Sequence, residues 1–150
     1  MQKNVVLSQI KPTSVVVVAG PTASGKSALA LELACSYNGV VINADASQLY
    51  KDIAIISAAP DENDKKKAEH LLYGVLDANA KNSVSDWCNS VVETIRDVWS
   101  KGKLPIVTGG TGFYIENLVK GCSPIPETSA ETKKKVARSL MESNCATTLS

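Results

Sequence analysis

One histidine, two arginines and four cysteines are scarce material in a chain of 150 residues, and each scarcity removes a class of chemistry. The cysteines, Cys35, Cys88, Cys122 and Cys145, match no zinc-ligand spacing and form no C-x-x-C pair. They read as reduced thiols, because 44% hydrophobic residues provide a core that needs no disulfide framework. No apolar run approaches the roughly 20 residues of a membrane span, and the opening MQKNVVLSQIKPTS has too short an apolar core for a secretory signal. A cytoplasmic protein without membrane contact is expected. The net charge of +1 creates no overall field for nucleic acid or lipid, yet leaves room for a local basic groove. The lone His70 opens a candidate strand and reads as structural rather than catalytic.

What is present starts with VVVVAGPTASGKS. Val15 to Ala19 is a β-branched run of the kind found in strands buried on both faces. Gly20 to Gly25 is a loop, and Lys26 to about Tyr37 predicts a well-buried helix that Gly39 breaks. Val40-Val41-Ile42 makes a second strand ending at Asn43-Ala44-Asp45. Strand, loop, helix, strand is the beginning of a parallel α/β fold. DENDKKKAE, after Pro60, is a solvated loop or frayed helix with balanced charge, and His70 to Leu76 has strand character. Ser83 to Trp99 carries apolar residues at helical spacing, with SVSD as its start and Gly102 as its stop. Trp87 and Trp99 therefore face the core rather than forming a stacking platform for bases. Pro105 to Thr108 is a short buried strand, Gly109 to Gly112 a tight turn, and Phe113 to Lys120 a helix. A Pro-rich exit and a helix over Ala130 to about Glu142 follow.

The phosphate chemistry resides in the first loop, which fits G-x-x-x-x-G-K-[ST]. In the loop formed by Gly20, Pro21, Thr22, Ala23, Ser24 and Gly25, the glycines at 20 and 25 let backbone N–H groups turn toward an anion; Lys26 supplies a point charge, and Ser27 offers a hydroxyl to Mg²⁺. The helix behind the loop adds its positive end. Asp45 leaves the sheet at the carboxyl edge of the second strand, where ligands sit in open α/β folds. It suits a metal ligand or a proton acceptor, and it suits equally the N-cap of a short helix over DASQ. TGGTG is either a plain strand-to-helix turn or the second wall of a shared pocket, with Thr108 and Thr111 as its hydroxyls.

GPTASGKS, NADASQLYK, EHLLYGVLD and VTGGTGFYIENLVKG, in that order, resemble the tRNA dimethylallyltransferases, also called tRNA isopentenyl transferases. The likeness runs from about Val15 to Val136. It implies a P-loop NTPase-like parallel sheet flanked by helices over residues 1–150, with residues 1–14 as an N-terminal extension. It also implies that the loop holds the diphosphate of dimethylallyl diphosphate, with Mg²⁺ at Ser27, and that the allyl group moves to N6 of the adenosine beside the tRNA anticodon. By motif position Asp45 would be the general base and Thr111 would stand at the reaction centre. Asp45, Ala46, Ser47, Gln48 and Thr111 would contact tRNA, with Lys133 as a basic contact after the Pro-rich stretch. A monomer acting on tRNA is expected.

Several positions depart from the family pattern. Ala46 replaces the usual Ser. Ala54, Ile56 and Ala59 stand where Asp, Gly and Lys are expected, and Ala68-Glu69-His70 replaces Pro-His-His. Each change removes a polar or conformational feature near a binding surface, so the cost falls on affinity more than on fold. Family members are also much longer, so a truncated chain is expected, lacking the helical tRNA-clasping insertion and a later basic segment. Phosphate contacts dominate nucleic-acid affinity, so weak donor binding and little transfer are expected of these residues alone. Three other readings stand beside this one: an adenylate isopentenyltransferase, a P-loop small-molecule kinase, and a non-catalytic remnant. The kinase would need an arginine-bearing lid, and Arg96 and Arg138 are poorly placed for one.

Overall fold

The computed structural model describes residues 13–53, 58–121 and 129–142. Four strands, β1 (Val16–Ala19), β2 (Gly39–Asn43), β3 (Glu69–Leu71) and β4 (Leu104–Gly109), form one parallel sheet in the order β1-β4-β2-β3. Because every pairing is parallel, Ala19, Asn43, Leu71 and Gly109 all end at the same edge. The loops that follow them therefore share one face of the molecule. The expected α/β class with helices flanking a parallel sheet is what the chain adopts.

Side chains alternate across each strand, and this divides the core in two. Val41 and Ile106 point to the face covered by α1 (Lys26–Ser36), where Ala30 and Ala34 are buried against them. Val40, Ile42 and Val107 point to the opposite face, under α3 (Val84–Ser100) and α4 (Gly112–Lys120). There Trp87 stacks on Tyr114 with ring centroids 4.5 Å apart. Trp99 is partly buried on the same cluster and donates its indole N–H to the Ser14 carbonyl at 3.0 Å, so both tryptophans serve the core as expected. α3 starts on a capping box: Ser83 accepts from the Asp86 N–H while the Asp86 carboxylate accepts from Ser83. Those hydrogen bonds hold the Asp86 carboxyl below its ordinary range. α2 (Glu62–Lys67), capped by Asp61, has no buried residue, in keeping with a solvated segment. α5 spans Ala130–Glu142, and its described side chains are all exposed.

Four expectations need correction. β1 is an edge strand, not one buried on both faces: Val18 is buried but Val17 is 39% exposed. Its β-branched run carries the composition of an interior strand, but among the described residues only β4 pairs with it. α1 is less buried than expected, with Leu29 46% exposed, because its apolar residues are spread around the helix and only one side meets the sheet. Gly39 does not break the helix. Asn38, at φ 49°, makes the left-handed turn and Gly39 is already the first residue of β2. The expected strand over His70 to Leu76 stops at Leu71, since Leu72 turns at φ 62°. Ala54, Ile56 and the Pro-rich exit at 122–128 lie outside the described residues.

Gly109 decides how closely β4 approaches the loop after β2. A Cβ there would lie 2.1 Å from the Ala44 carbonyl carbon. Gly109→Ala is expected to cost about 2–3 kcal/mol in urea unfolding, as overpacking does. Gly112→Ala, whose methyl would meet nothing within 4 Å, should stay within about 0.5 kcal/mol of the unaltered chain. Equal losses at both positions would contradict this packing account.

Candidate active site

The loop between β1 and α1 turns because two of its residues occupy the left-handed region, Ala23 at φ 62° and Gly25 at φ 80°. Glycine takes that conformation without steric cost, whereas alanine does not. Helix α1 then begins without a side-chain cap and without an acidic residue in its first turn. Its first N–H groups have no intrahelical acceptor, and no acidic residue of its first turn offsets the positive end of the helix. Such a helix end attracts negative charge. The Lys26 ammonium donates to the Pro21 carbonyl at 3.1 Å, so it lies folded across the loop. A cavity of about 570 Å³ opens here, lined by Thr22, Ala23, Gly25, Lys26 and Ser27 on one side. Asp45, Ser47, Gln48, Thr108 and Gly109 line it on the other.

The far wall is knitted from the ends of β2 and β4. Ala44 N–H donates to the Thr108 carbonyl at 2.7 Å, Thr111 N–H donates to the Ala44 carbonyl at 3.3 Å, and Ala46 N–H donates to Thr111 Oγ1 at 3.0 Å. Thr111 is the N-cap residue of α4, yet its hydroxyl makes no cap bond there and reaches across to Ala46. Asp45 Oδ1 accepts from Ser47 N–H at 3.0 Å and from Ser47 Oγ at 2.6 Å, closing a turn into the short 3₁₀ segment Ser47–Leu49. Its other oxygen, Oδ2, stands over Gly110, 3.2 Å from where a Cβ on that residue would lie. Asp45 is not the N-cap itself, a place taken by Ala46, but one of its oxygens closes the turn into that segment while the carboxylate lines the cavity. Gln48 donates to the Ala58 carbonyl at 3.1 Å, which brings the segment before Pro60 to the rim.

The site residues expected from sequence are only partly assembled here. Thr22, Ala23, Gly25, Lys26, Ser27, Asp45, Ser47 and Gln48 meet in one cavity, and the TGGTG turn contributes Thr108 and Gly109 to it. Gly20, Pro21 and Ser24 belong to the same loop without lining the cavity. Ala46 and Thr111 stand behind the wall, bonded to each other. Lys133 sits in α5, and its side chain lies outside the described residues. His70 Nδ1 bonds the Ala68 carbonyl at 2.8 Å and its ring meets Tyr73 edge-on, at a smaller neighbouring cavity.

Tyr73 escaped sequence reasoning. It lines a smaller cavity of about 70 Å³ that shares Ser27, Gln48, Ala58 and Thr108 with the larger one. Burial holds its phenol well above the ordinary range, and the negative charge of Asp45 adds to the shift. The Leu-Leu-Tyr run reads as strand, so only the positive φ at Leu72 turns the tyrosine toward the site. No pattern of hydrophobicity announces such a turn.

A family model described as IPP transferase matches residues 48–150. The chain is 43% identical over 126 residues to a tRNA dimethylallyltransferase of Zymomonas mobilis, covering 84% of this chain and 40% of that protein. It is 50% identical over 111 residues to one from a Methylobacterium species, covering 74% and 36%. Among solved structures, a eukaryotic dimethylallyltransferase acting on tRNA aligns with a TM-score of 0.71 at 31% identity, over 78% of this chain and 30% of that one. The tRNA isopentenylpyrophosphate transferase of Staphylococcus epidermidis aligns at 0.66 with 33% identity, over 85% and 41%. The chain spans about two fifths of the length of the curated relatives it matches.

The bond from Ala46 to Thr111 yields a stability test of the far wall. Thr111→Val keeps the shape but leaves the Ala46 N–H without its acceptor, and should lose about 1–2 kcal/mol in urea unfolding. Thr111→Ser should keep most of it. A valine variant as stable as the serine variant would show that the hydroxyl holds nothing.

Proposed function

The chain belongs to the IPP transferase family, and from that membership we propose that it is the donor-binding core of a tRNA dimethylallyltransferase. The observation that carries the reading is one cavity with an uncapped, lysine-bearing phosphate loop on one side and the Asp45 carboxylate on the other. In the reaction the C–O bond between the allylic carbon and the diphosphate breaks, and its electron pair stays on the departing oxygen. The N6 lone pair of the adenine beside the anticodon forms the new C–N bond, and the N6 proton passes to Asp45. Charge develops on the diphosphate as that bond breaks; free N–H groups of the phosphate loop would meet it, and the Lys26 ammonium would exchange its bond to the Pro21 carbonyl for a phosphate oxygen. No γ-phosphate is transferred, so the loop serves a leaving group rather than ATP hydrolysis.

Mg²⁺ fits this cavity through the Ser27 hydroxyl, a hard oxygen donor beside the phosphate loop. No cluster of three or more His, Cys, Asp or Glu forms among the described residues, so phosphate oxygens and water would complete the coordination. When bound, the ion supplies countercharge to the leaving diphosphate. The adenine must leave its stack to present N6 to Asp45. Asp45, Ser47 and Gln48 line the side it would enter, Ala46 and Thr111 brace them from behind, and Lys133 would meet the tRNA backbone. The protein acts as a cytoplasmic monomer in this proposal. Among the described residues no helix is long and apolar enough to cross a membrane.

The kinase reading is not favoured. Arg96 lies on α3 in a groove with Asn117 and Leu118 of α4, rather than along the phosphate-loop cavity.

The test is to incubate the chain with dimethylallyl diphosphate, Mg²⁺ and tRNA lacking the modification, then assay digested nucleosides by mass spectrometry. Prenylated adenosine is expected at low yield. It should fall to background with Lys26→Ala and by about 10²–10⁴-fold with Asp45→Asn, the range for loss of a general base, while Asp45→Asn retains donor binding. Transfer to AMP in preference to tRNA would contradict the acceptor assignment. Phosphorylation of a metabolite from ATP would overturn the reading altogether.

A further inference from the structure

Asn43, the last residue of β2, is fully buried. A carboxamide in that position is costly unless its polar atoms are bonded. Here both amide donors are used: Nδ2 donates to the Asp45 carbonyl at 2.9 Å and to the Leu72 carbonyl at 3.0 Å. Oδ1 accepts from the Asp45 N–H at 2.8 Å. The amide orientation is forced, since exchanging oxygen and nitrogen would set an NH₂ against the Asp45 N–H and an oxygen against two carbonyls. One buried side chain therefore grips both main-chain polar atoms of Asp45. Its own carbonyl accepts from Trp87 Nε1 at 3.0 Å, which anchors it to the core.

The third partner is informative. Leu72 is a branched residue held at φ 62°, a conformation that costs energy and persists only where the surroundings fix it. Directly after it, Gly74 N–H donates to the Gln48 carbonyl and Leu76 N–H to the Leu49 carbonyl, both at 2.9 Å. The 72–76 segment thus backs the rim of the cavity from outside the sheet. Asn43 is where that backing meets Asp45.

We propose that Asn43 is a positioning residue whose buried carboxamide sets the direction of the Asp45 carboxylate by tying its backbone to Leu72. The proposal rests on the proton-accepting role given to Asp45, but its geometric content is testable without any transfer. It predicts an effect on the turn and on the chemical step, with donor capture by the phosphate loop across the cavity left intact.

In the unaltered chain, both Asn43 side-chain N–H protons should give separate, slowly exchanging NMR signals. Rapid exchange of either would overturn the proposal without any variant. In Asn43→Ala, amide exchange at Asp45, Ala46 and Ser47 should rise by about tenfold relative to Val41 and Ile106. In the transfer assay kcat should fall by about 10–100-fold, as for a displaced catalytic group, with KM for dimethylallyl diphosphate unchanged. Asn43→Ser, which keeps one donor and one acceptor, should recover part of both effects and serves if the alanine variant does not fold. A uniform rise in exchange over the whole sheet, or an unchanged kcat, would reduce Asn43 to a core residue and overturn the proposal. If no variant and no unaltered chain transfers, the functional reading fails while the exchange data still decide whether Asn43 holds Asp45 in place.

Discussion

The short hydrogen bond from Ala44 N–H to the Thr108 carbonyl, 2.7 Å long, continues the sheet one residue past the end of β2. Its neighbourhood admits no side chain at Gly109, whose Cβ would overlap the Ala44 backbone. This approach brings the loop carrying Asp45 against the turn carrying Thr111. Were the two chains held apart by an ordinary side chain, Ala46 would not reach the Thr111 hydroxyl. The wall facing the phosphate loop would then lose its shape. A backbone contact at the sheet edge therefore governs where a carboxylate stands in the cavity.

The opposite wall depends on what is left out of it. α1 has no N-cap side chain and no acid in its first turn, so its terminal N–H groups have no partner supplied by the helix. That arrangement is unfavourable for helix stability and favourable for binding an anion. With Lys26 and Ser27 beside it, the loop can stabilise a leaving diphosphate as readily as a nucleotide phosphate. In the proposed function the two are separated by the wall with Asp45, whose carboxylate is the proton acceptor.

The sequence made the strand-loop-helix-strand order, the capping box at Ser83 and the inward tryptophans readable, because each has a strong local pattern. The loop and Asp45 were legible through spacing and resemblance. Three features were not. The edge position of β1 depends on strand order, a non-local property that a run of valines cannot reveal. The turn at Leu72, and with it the placement of Tyr73, requires a conformation that leucine does not favour and that tertiary bonds impose. The division of labour at Thr111, whose hydroxyl serves Ala46 rather than its own helix, appears only when β4 and the end of β2 are seen side by side. Local patterns thus set the elements, and the site geometry arises from contacts between segments far apart in the chain.

The central claim is the proposal that the cavity, with the phosphate loop on one side and Asp45 on the other, takes an allylic diphosphate in preference to ATP. The most direct measurement is calorimetric titration of the folded chain with dimethylallyl diphosphate and Mg²⁺, then with ATP and Mg²⁺, using Lys26→Ala as the blank. Saturable heat with the allylic diphosphate, weaker heat with ATP, and no signal in the blank is the result this account predicts. Binding of ATP without the allylic diphosphate, or of neither ligand, would contradict it.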